Sequence, residues 1–479
     1  MQLTRLTTIA LTAGLVLSAC GGGGNDEAEE TRLQDTRNSF VPANPTATTF
    51  DAMAAAGDDK VDNTTTSRWA GVLGGAAYRV EVPANWNGKL VMYAHGYAGE
   101  VNTLNITNPS IRRFLIQNGY AWAASSYSKN FYDVRVGVED TNALALEFNK
   151  IAAARGRTLA VPSRIYITGH SMGGHITAAA IEKEAQDTAN HKVRYDGAVP
   201  MCGVMGDMEH FDHFAAEQVT AQALAGFANH PTTEWAQIKS QVEAALFTKF
   251  PSQPTAAGQK YLSVVENITG GDRPLFDLSI TAGSTFGLAW GVFGSNGTVN
   301  GILNKKSLDT THFTYTITGD PAGSVALNAA VQKLIPEPGA NRLRRDGLRW
   351  VPKANGEISI PVVSLHTLGD LYVPFSMQQI YKRRVVDKGN ERWLVQRAIR
   401  GASHCDFTVA EQVDAFQSMV LWEQTGAKPG GDDVLTAATV AAPTYGCTYT
   451  RDRLGPDESA ATRAMRGIIA ANIAACPKL

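Results

Sequence analysis

The residues Arg164 to Gly174 constrain the fold more than any other stretch. Arg164 to Thr168 is an apolar run with alternating β-branched residues, which predicts a short buried strand. Gly169, His170, Ser171, Met172 and Gly173 follow it and open into an alanine-rich segment that favours helix from Ile176 to Ala185. The result is a strand, a sharp turn and a helix with a serine at the apex. A turn this tight brings the strand end against the helix start, so a side chain at Gly169 or Gly173 would collide with them. The serine Oγ then stands at a helix N-terminus, where amide N–H groups favour developing negative charge. A five-residue pattern also arises by chance in glycine-rich loops, so its meaning rests on the rest of the chain.

A serine hydroxyl needs a histidine base, and behind it a carboxylate that fixes the imidazole tautomer. In a parallel sheet the reacting groups lie beyond the carboxyl ends of strands. Two such loops follow Ser171. The apolar run Ile358 to Leu365 leads to Asp370, and the run Trp393 to Ile399 leads to His404. The chain order is serine, acid, histidine, and Asp406 is the second choice as acid because it sits beside the histidine in the chain. Two N–H donors for an oxyanion are expected from Met172, the residue after the serine, and from Tyr97, in the His95, Gly96, Tyr97 loop after the third core strand. His95 is expected to be structural, His175 to lie on the helix behind the serine, and His366 to pack at a strand end. His210 and His213, near Asp207, Glu209 and Asp212, match no zinc-binding spacing and are expected on a solvated helix face.

Strands at Tyr78 to Val82, Lys89 to Ala94, Tyr120 to Ser125, Arg164 to Thr168 and Gly197 to Met201 alternate with helical stretches, the pattern of an α/β core. Tyr78, Val80 and Val82 alternate with Arg79 and Glu81, which predicts a half-exposed strand. From 203 to 356 the alternation stops, and Trp235, Ile238, Val242 and Leu246 recur at helical spacing. A segment of that length needs structure of its own and is expected to be a mainly helical lid inserted after the sixth strand. The divisions are therefore 63–202 for the first part of the core, 203–356 for the lid, 357–425 for the second part and 426–479 for a C-terminal tail. Thr408 and Glu411 predict a capping box at the start of the last clear helix.

With 479 residues, 44% of them hydrophobic and 18% charged, and a net charge of −2, the chain can bury a large core. It shows no basic footprint for nucleic acid. Residues 1–20 pair Arg5 with an apolar run, Leu6 to Leu17, that is too short to span a bilayer, and so predict an export signal. Leu17, Ser18, Ala19 and Cys20 resemble the lipobox of bacterial lipoproteins. That resemblance implies a lipid on Cys20 and, with Gly21 following, an outer-membrane or periplasm-facing membrane site. Residues 21–62 are then a flexible tether. The remaining Cys202, Cys405, Cys447 and Cys476 are an even set in an exported chain, for which three pairings exist. A Cys447–Cys476 bond would staple the tail.

With these motifs, residues 78 to 425 resemble the α/β-hydrolase superfamily. The segments Pro83 to Gly88, His95 to Tyr97, Gly169 to Gly174, Met201 to Gly203 and Ser403 to Phe407 look more narrowly like a group of secreted bacterial esterase-like hydrolases. The resemblance implies a doubly wound, mostly parallel sheet and a serine hydrolase with Ser171, Asp370 and His404 as its triad. Tannases and feruloyl esterases place a cysteine directly before the serine and bond it to one after the histidine. Here His170 takes that first place, but Cys405 does follow His404, and by analogy its partner is Cys202. The expected activity is hydrolysis of carboxylic esters through an acyl-enzyme, on a small or oligomeric ester, without metal or organic cofactor. A peptidase of the prolyl-oligopeptidase type and a lipid-tethered binding protein without catalysis are the alternatives.

Overall fold

Eight strands make the central sheet: β1 (Thr66–Leu73), β2 (Ala76–Pro83), β3 (Lys89–Ala94), β4 (Ala121–Ser125), β5 (Arg164–His170), β6 (Gly197–Met201), β7 (Val362–Thr367) and β8 (Leu394–Ile399). Their spatial order is β1-β2-β4-β3-β5-β6-β7-β8. β2 runs antiparallel to both β1 and β4, and every other neighbouring pair is parallel. This is a computed structural model, and it describes residues 35–37, 39–42, 49–56, 66–299 and 301–477. Cys20, the export signal and the first part of the tether lie outside the described residues.

Side chains alternate across a strand, so β3 sends Leu90 and Met92 to one face of the sheet and Val91 and Tyr93 to the other. Helix α1 (Arg112–Gln117) joins the second face through Leu115, while α2 (Val134–Ala154) and α3 (Met172–Ala180) cover the first through Val138, Phe148 and Ile176. With both faces covered, the parallel strands β4, β6, β7 and β8 are buried along their whole length. Helix α3 ends at Ala180, short of the Ala185 expected.

Between β6 and β7 the chain forms α4 (Glu209–Leu224), α5 (Trp235–Leu246), α6 (Ala256–Ile268), α7 (Phe276–Thr281), α8 (Thr285–Gly291) and α9 (Pro321–Ala330). Trp235, Ile238, Val242 and Leu246 are the buried stripe of α5 and pack in a separate cluster with Tyr261, Phe286, Trp290 and Phe293. After β7, α10 (Ser376–Asp387) returns to the first face of the sheet, and α11 (Val409–Thr425) covers the second with Phe416, Met419 and Val420. Thr408 and Glu411 close the capping box at the start of α11. The segment after Gly426 carries α12 (Ala460–Asn472), whose Arg466 donates to the buried Glu411 at 2.8 Å. A disulfide joins Cys447 to Cys476.

Two expectations need correction. The alternation in β2 does not mark a solvent face, because β2 lies between β1 and β4 and Glu81 is buried. Its carboxylate accepts from Arg112 Nε at 2.7 Å and Trp122 Nε1 at 2.8 Å, partners that make a buried charge tolerable. Parts of the 21–62 tether are held against the body. Arg37 pairs with Asp133, Val41–Pro42 forms a parallel bridge with Thr103–Leu104, and Phe50 packs on Trp122 with the Arg112 guanidinium 5.0 Å from its ring centroid. A few specific long-range pairs are enough to dock a polar strand that lacks periodicity of its own.

Candidate functional site

Ser171 caps the N-terminus of α3 with φ 57° and ψ −123°, a conformation that costs a non-glycine residue about 1–3 kcal/mol. The surrounding contacts leave no alternative. A Cβ on Gly169 would lie 2.3 Å from the Gly173 carbonyl oxygen, and one on Gly173 would lie 2.0 Å from that of Ala94. The Ser171 N–H is anchored to the Met201 carbonyl at 3.0 Å. β3, β5, β6 and the start of α3 thus meet at one point, and the hydroxyl projects from it.

The loops after β7 and β8 bring the other two groups to this point. His404 Nε2 lies 2.8 Å from Ser171 Oγ, and His404 Nδ1 lies 2.5 Å from Asp370 Oδ2. The carboxylate fixes the tautomer: Nδ1–H donates to Asp370, so Nε2 accepts from the serine hydroxyl. Asp370 is fully buried, and its Oδ1 accepts from the N–H groups of Tyr372 and Val373 at 3.0 and 2.9 Å. Asp406 takes no part. It is buried beside Arg466, and burial raises its pKa.

Cys202, at the end of β6, is bonded to Cys405 with a Cα–Cα separation of 5.3 Å. The bond ties the residue after His404 to the strand beside the serine turn. Met172 begins α3, so its N–H belongs to the helix N-terminus. Gly96 brings the His95–Tyr97 backbone close to the serine, since a Cβ there would lie 3.2 Å from Ser171 Cβ. Tyr97 lines the same cavity as Ser171.

Five further histidines near the sheet and the insertion divide into two groups. His95 lies 2.7 Å from the Gly96 carbonyl and 3.1 Å from that of Ser126. His175 donates from Nε2 to the Pro352 carbonyl at 2.7 Å and accepts from Tyr132 Oη at 2.9 Å. His366, within β7, lies 2.8 Å from the Val373 carbonyl. These are held as structural elements. His210 and His213 correct the expectation of a solvated face: both are buried, because α4 lies between the rest of the insertion and residues outside it, with Tyr132 against Phe211 and Tyr372 against His210. Burial lowers the pKa of both, to about 3 for His213. His210 lines the cavity with Ser171.

Sequence reasoning missed the supports of this site. Tyr372, two residues beyond Asp370, sets its ring at 78° to the His404 imidazole with centroids 6.0 Å apart. His170 donates from Nε2 to Gln412 Oε1 at 3.0 Å and accepts from Tyr93 Oη at 3.3 Å, which fixes the residue before the serine. The insertion braces both partner loops. Arg273 donates to the Leu368 carbonyl at 2.8 Å, Thr285 accepts from the Leu371 N–H at 3.1 Å, and Ser403 donates to the Gly283 carbonyl at 2.8 Å. No local pattern announces these contacts, which join residues scores of positions apart. Between the strand-end loops and the insertion lies a cavity of about 660 Å³ that reaches Ser171.

No family model matches the chain. An o-phthalyl amidase of Xanthobacter agilis is 22% identical over 424 residues, covering 77% of this chain and 90% of that protein. Among solved structures, an esterase from Aspergillus oryzae has 14% identity, covers 82% of this chain and 85% of that one, and gives a TM-score of 0.42. Feruloyl esterase B from the same organism has 14% identity over 76% and 81% of the two chains, with a TM-score of 0.41. Candida antarctica lipase A has 12% identity over 92% and 90%, with a TM-score of 0.36. The fold is read from the chain's own topology. With this strand order, a serine turn after β5, an acid after β7 and a histidine after β8, the chain has the α/β-hydrolase fold.

Proposed function

We propose that this protein is a serine hydrolase that cleaves carboxylic esters through an acyl-enzyme. The observation that carries the reading is the continuous relay from Asp370 Oδ2 through His404 to Ser171 Oγ. His404 Nε2 takes the hydroxyl proton as Oγ attacks the ester carbonyl, and Asp370 stabilises the imidazolium that forms. The Met172 and Tyr97 N–H groups take the oxyanion, and His404 then protonates the departing alcohol. Water, activated by the same imidazole, attacks the acyl-serine and restores the hydroxyl. Every proton in this cycle is carried by His404, so the residues in place need no cofactor.

Amide cleavage is a second reading, favoured by the amidase relative. It uses the same residues and asks His404 to protonate an amine instead. We also place the protein outside the cytoplasm, tethered by a lipid on Cys20, with the insertion acting as the lid over the site. The lipobox-like Leu17 to Cys20 and the two disulfides support this placement, and no helix of the described residues is long and apolar enough to cross a membrane. The test is Ser171→Ala. It abolishes turnover of short p-nitrophenyl esters and labelling by a fluorophosphonate, whereas undiminished turnover would refute the reading. Anilides of the same acyl groups, assayed alongside, decide between ester and amide.

A further inference from the structure

The cavity wall beside the reacting groups is a series of rings packed on one another. Tyr372 meets the His404 imidazole on one side. On its other side it meets His210, at 90° with centroids 6.0 Å apart, and Phe214, with centroids 5.4 Å apart. His210 and Phe214 pack on one another at 4.5 Å. Tyr372, His210 and Phe214 all line the cavity that holds Ser171, and Tyr97 and Phe293 line it too. The wall is therefore aromatic from the catalytic imidazole outward.

The charge of the lining is equally one-sided. Among the described residues, no lysine or arginine lines this cavity. Its polar groups are hydroxyls, amides, the Glu100 carboxylate and the His210 imidazole, which burial keeps neutral and whose Nδ1 has no hydrogen-bond partner. Arg273, the buried cation nearest the acid loop, is committed to the backbone carbonyls of Leu368 and Gly271. A flat ring entering here finds edges and faces with which to stack. A carboxylate entering here leaves its water and meets no positive charge.

We propose that this enzyme selects esters and amides carrying an uncharged aryl ring next to the scissile bond, and rejects those whose ring bears a carboxylate. The inference rests on the serine hydrolase reading and adds the substrate class to it. The ring belongs to the acyl group or to the alcohol, and two matched pairs separate these cases: methyl benzoate against methyl cyclohexanecarboxylate, and benzyl acetate against cyclohexylmethyl acetate. Within each pair the leaving groups are closely similar and the rings differ in flatness and π-character.

The expected result, from pH-stat assays of kcat/KM, is a preference of about tenfold for the aryl member of at least one pair, the size that one or two ring contacts supply. Methyl hydrogen terephthalate is expected to react at least roughly a hundredfold more slowly than methyl benzoate, from the cost of an unpaired carboxylate. Phe214→Leu should bring the aryl preference below about threefold while fluorophosphonate still labels Ser171. Equal rates within both pairs, or full turnover of the terephthalate, would overturn the proposal and leave serine hydrolysis standing. Absence of turnover of both aryl esters by protein that still takes the label at Ser171 would do the same. Failure of the label to reach Ser171 would overturn both.

Discussion

The serine turn and the histidine loop stand within hydrogen-bond distance of each other, yet they are held in different ways. The turn is fixed by backbone clearances: Gly169 and Gly173 leave no room for a Cβ, and the φ of 57° at Ser171 follows from the strand and helix that meet there. The histidine loop has a local constraint too, since a Cβ on Gly401 would lie 2.7 Å from the Asp406 carbonyl oxygen and Cys405 sits at φ 55°, but this alone does not bring it to the serine. It is held from a distance by Asp370, by the bond from Cys405 to Cys202 and by the Ser403 contact to Gly283 of the insertion. One half of the site is therefore fixed by backbone packed against backbone at the centre of the sheet, and the other largely by side-chain and disulfide links between separate loops. Substitutions in the two halves should fail in different ways.

The largest effect is expected in the turn. Gly173→Ala puts a methyl group 2.0 Å from the Ala94 carbonyl oxygen, an overlap between backbone elements that no rotamer relieves. The variant is expected to yield no folded protein, and a normal thermal transition would show that the turn is looser than described. Asp370→Asn should leave the fold intact, since Oδ1 can still accept from the Tyr372 and Val373 N–H groups. It removes the tautomer control and should lower kcat by roughly 10⁴-fold with folding unchanged. A loss below about tenfold would mean that another group orients His404.

The disulfide provides the next test. Replacing Cys202 and Cys405 together with alanine opens a link that spans 203 positions and should cost about 2–5 kcal/mol of stability. Activity should fall while Ser171 keeps its place at the turn. Cys447 and Cys476 close a separate bond in the tail, so the same change there should destabilise the C-terminal segment and spare kcat. Equal losses of kcat from the two replacements would erase the distinction drawn between the halves of the site.

The smallest effect concerns pH. Burial pulls the pKa of His170 down from 6.5 to about 4, so between these values the unfolded chain binds a proton that the folded chain does not. The contribution is intact above pH 6.5 and is lost as pH falls toward 4. Relative to the wild type, His170→Gln should lose about 2 kcal/mol less stability between pH 7 and pH 5, read from denaturant unfolding. Parallel curves would show that burial does not hold the His170 ring neutral in the folded chain.

This difference between the two halves also explains what could be read from the sequence. The turn was legible because part of its steric requirement, the clearance between Gly169 and the Gly173 carbonyl, is written in adjacent residues. Asp370 and His404 were legible because strand ends in a parallel sheet mark where such groups must lie. The burial of His210 and His213 was not legible, since α4 is polar in its first turns and is covered by distant parts of the insertion and by Tyr132 and Tyr372 outside it, which share no period with it. Tyr372 was hidden for a related reason: its contact with His404 links two loops that the sequence separates by more than thirty positions. The docking of Phe50 and Arg37 likewise depends on Trp122, Arg112 and Asp133, far away in the chain.

The central claim is that Ser171 is the nucleophile and that His404, held by Asp370, activates it. The most direct measurement is mass-spectrometric mapping of the protein after reaction with a fluorophosphonate, for the wild type and for His404→Ala. One phosphonylated peptide is expected in the wild type, carrying the label on Ser171, with a labelling rate at least roughly a hundredfold lower in His404→Ala. A label on any other residue, or an equal rate in the two proteins, would contradict the claim.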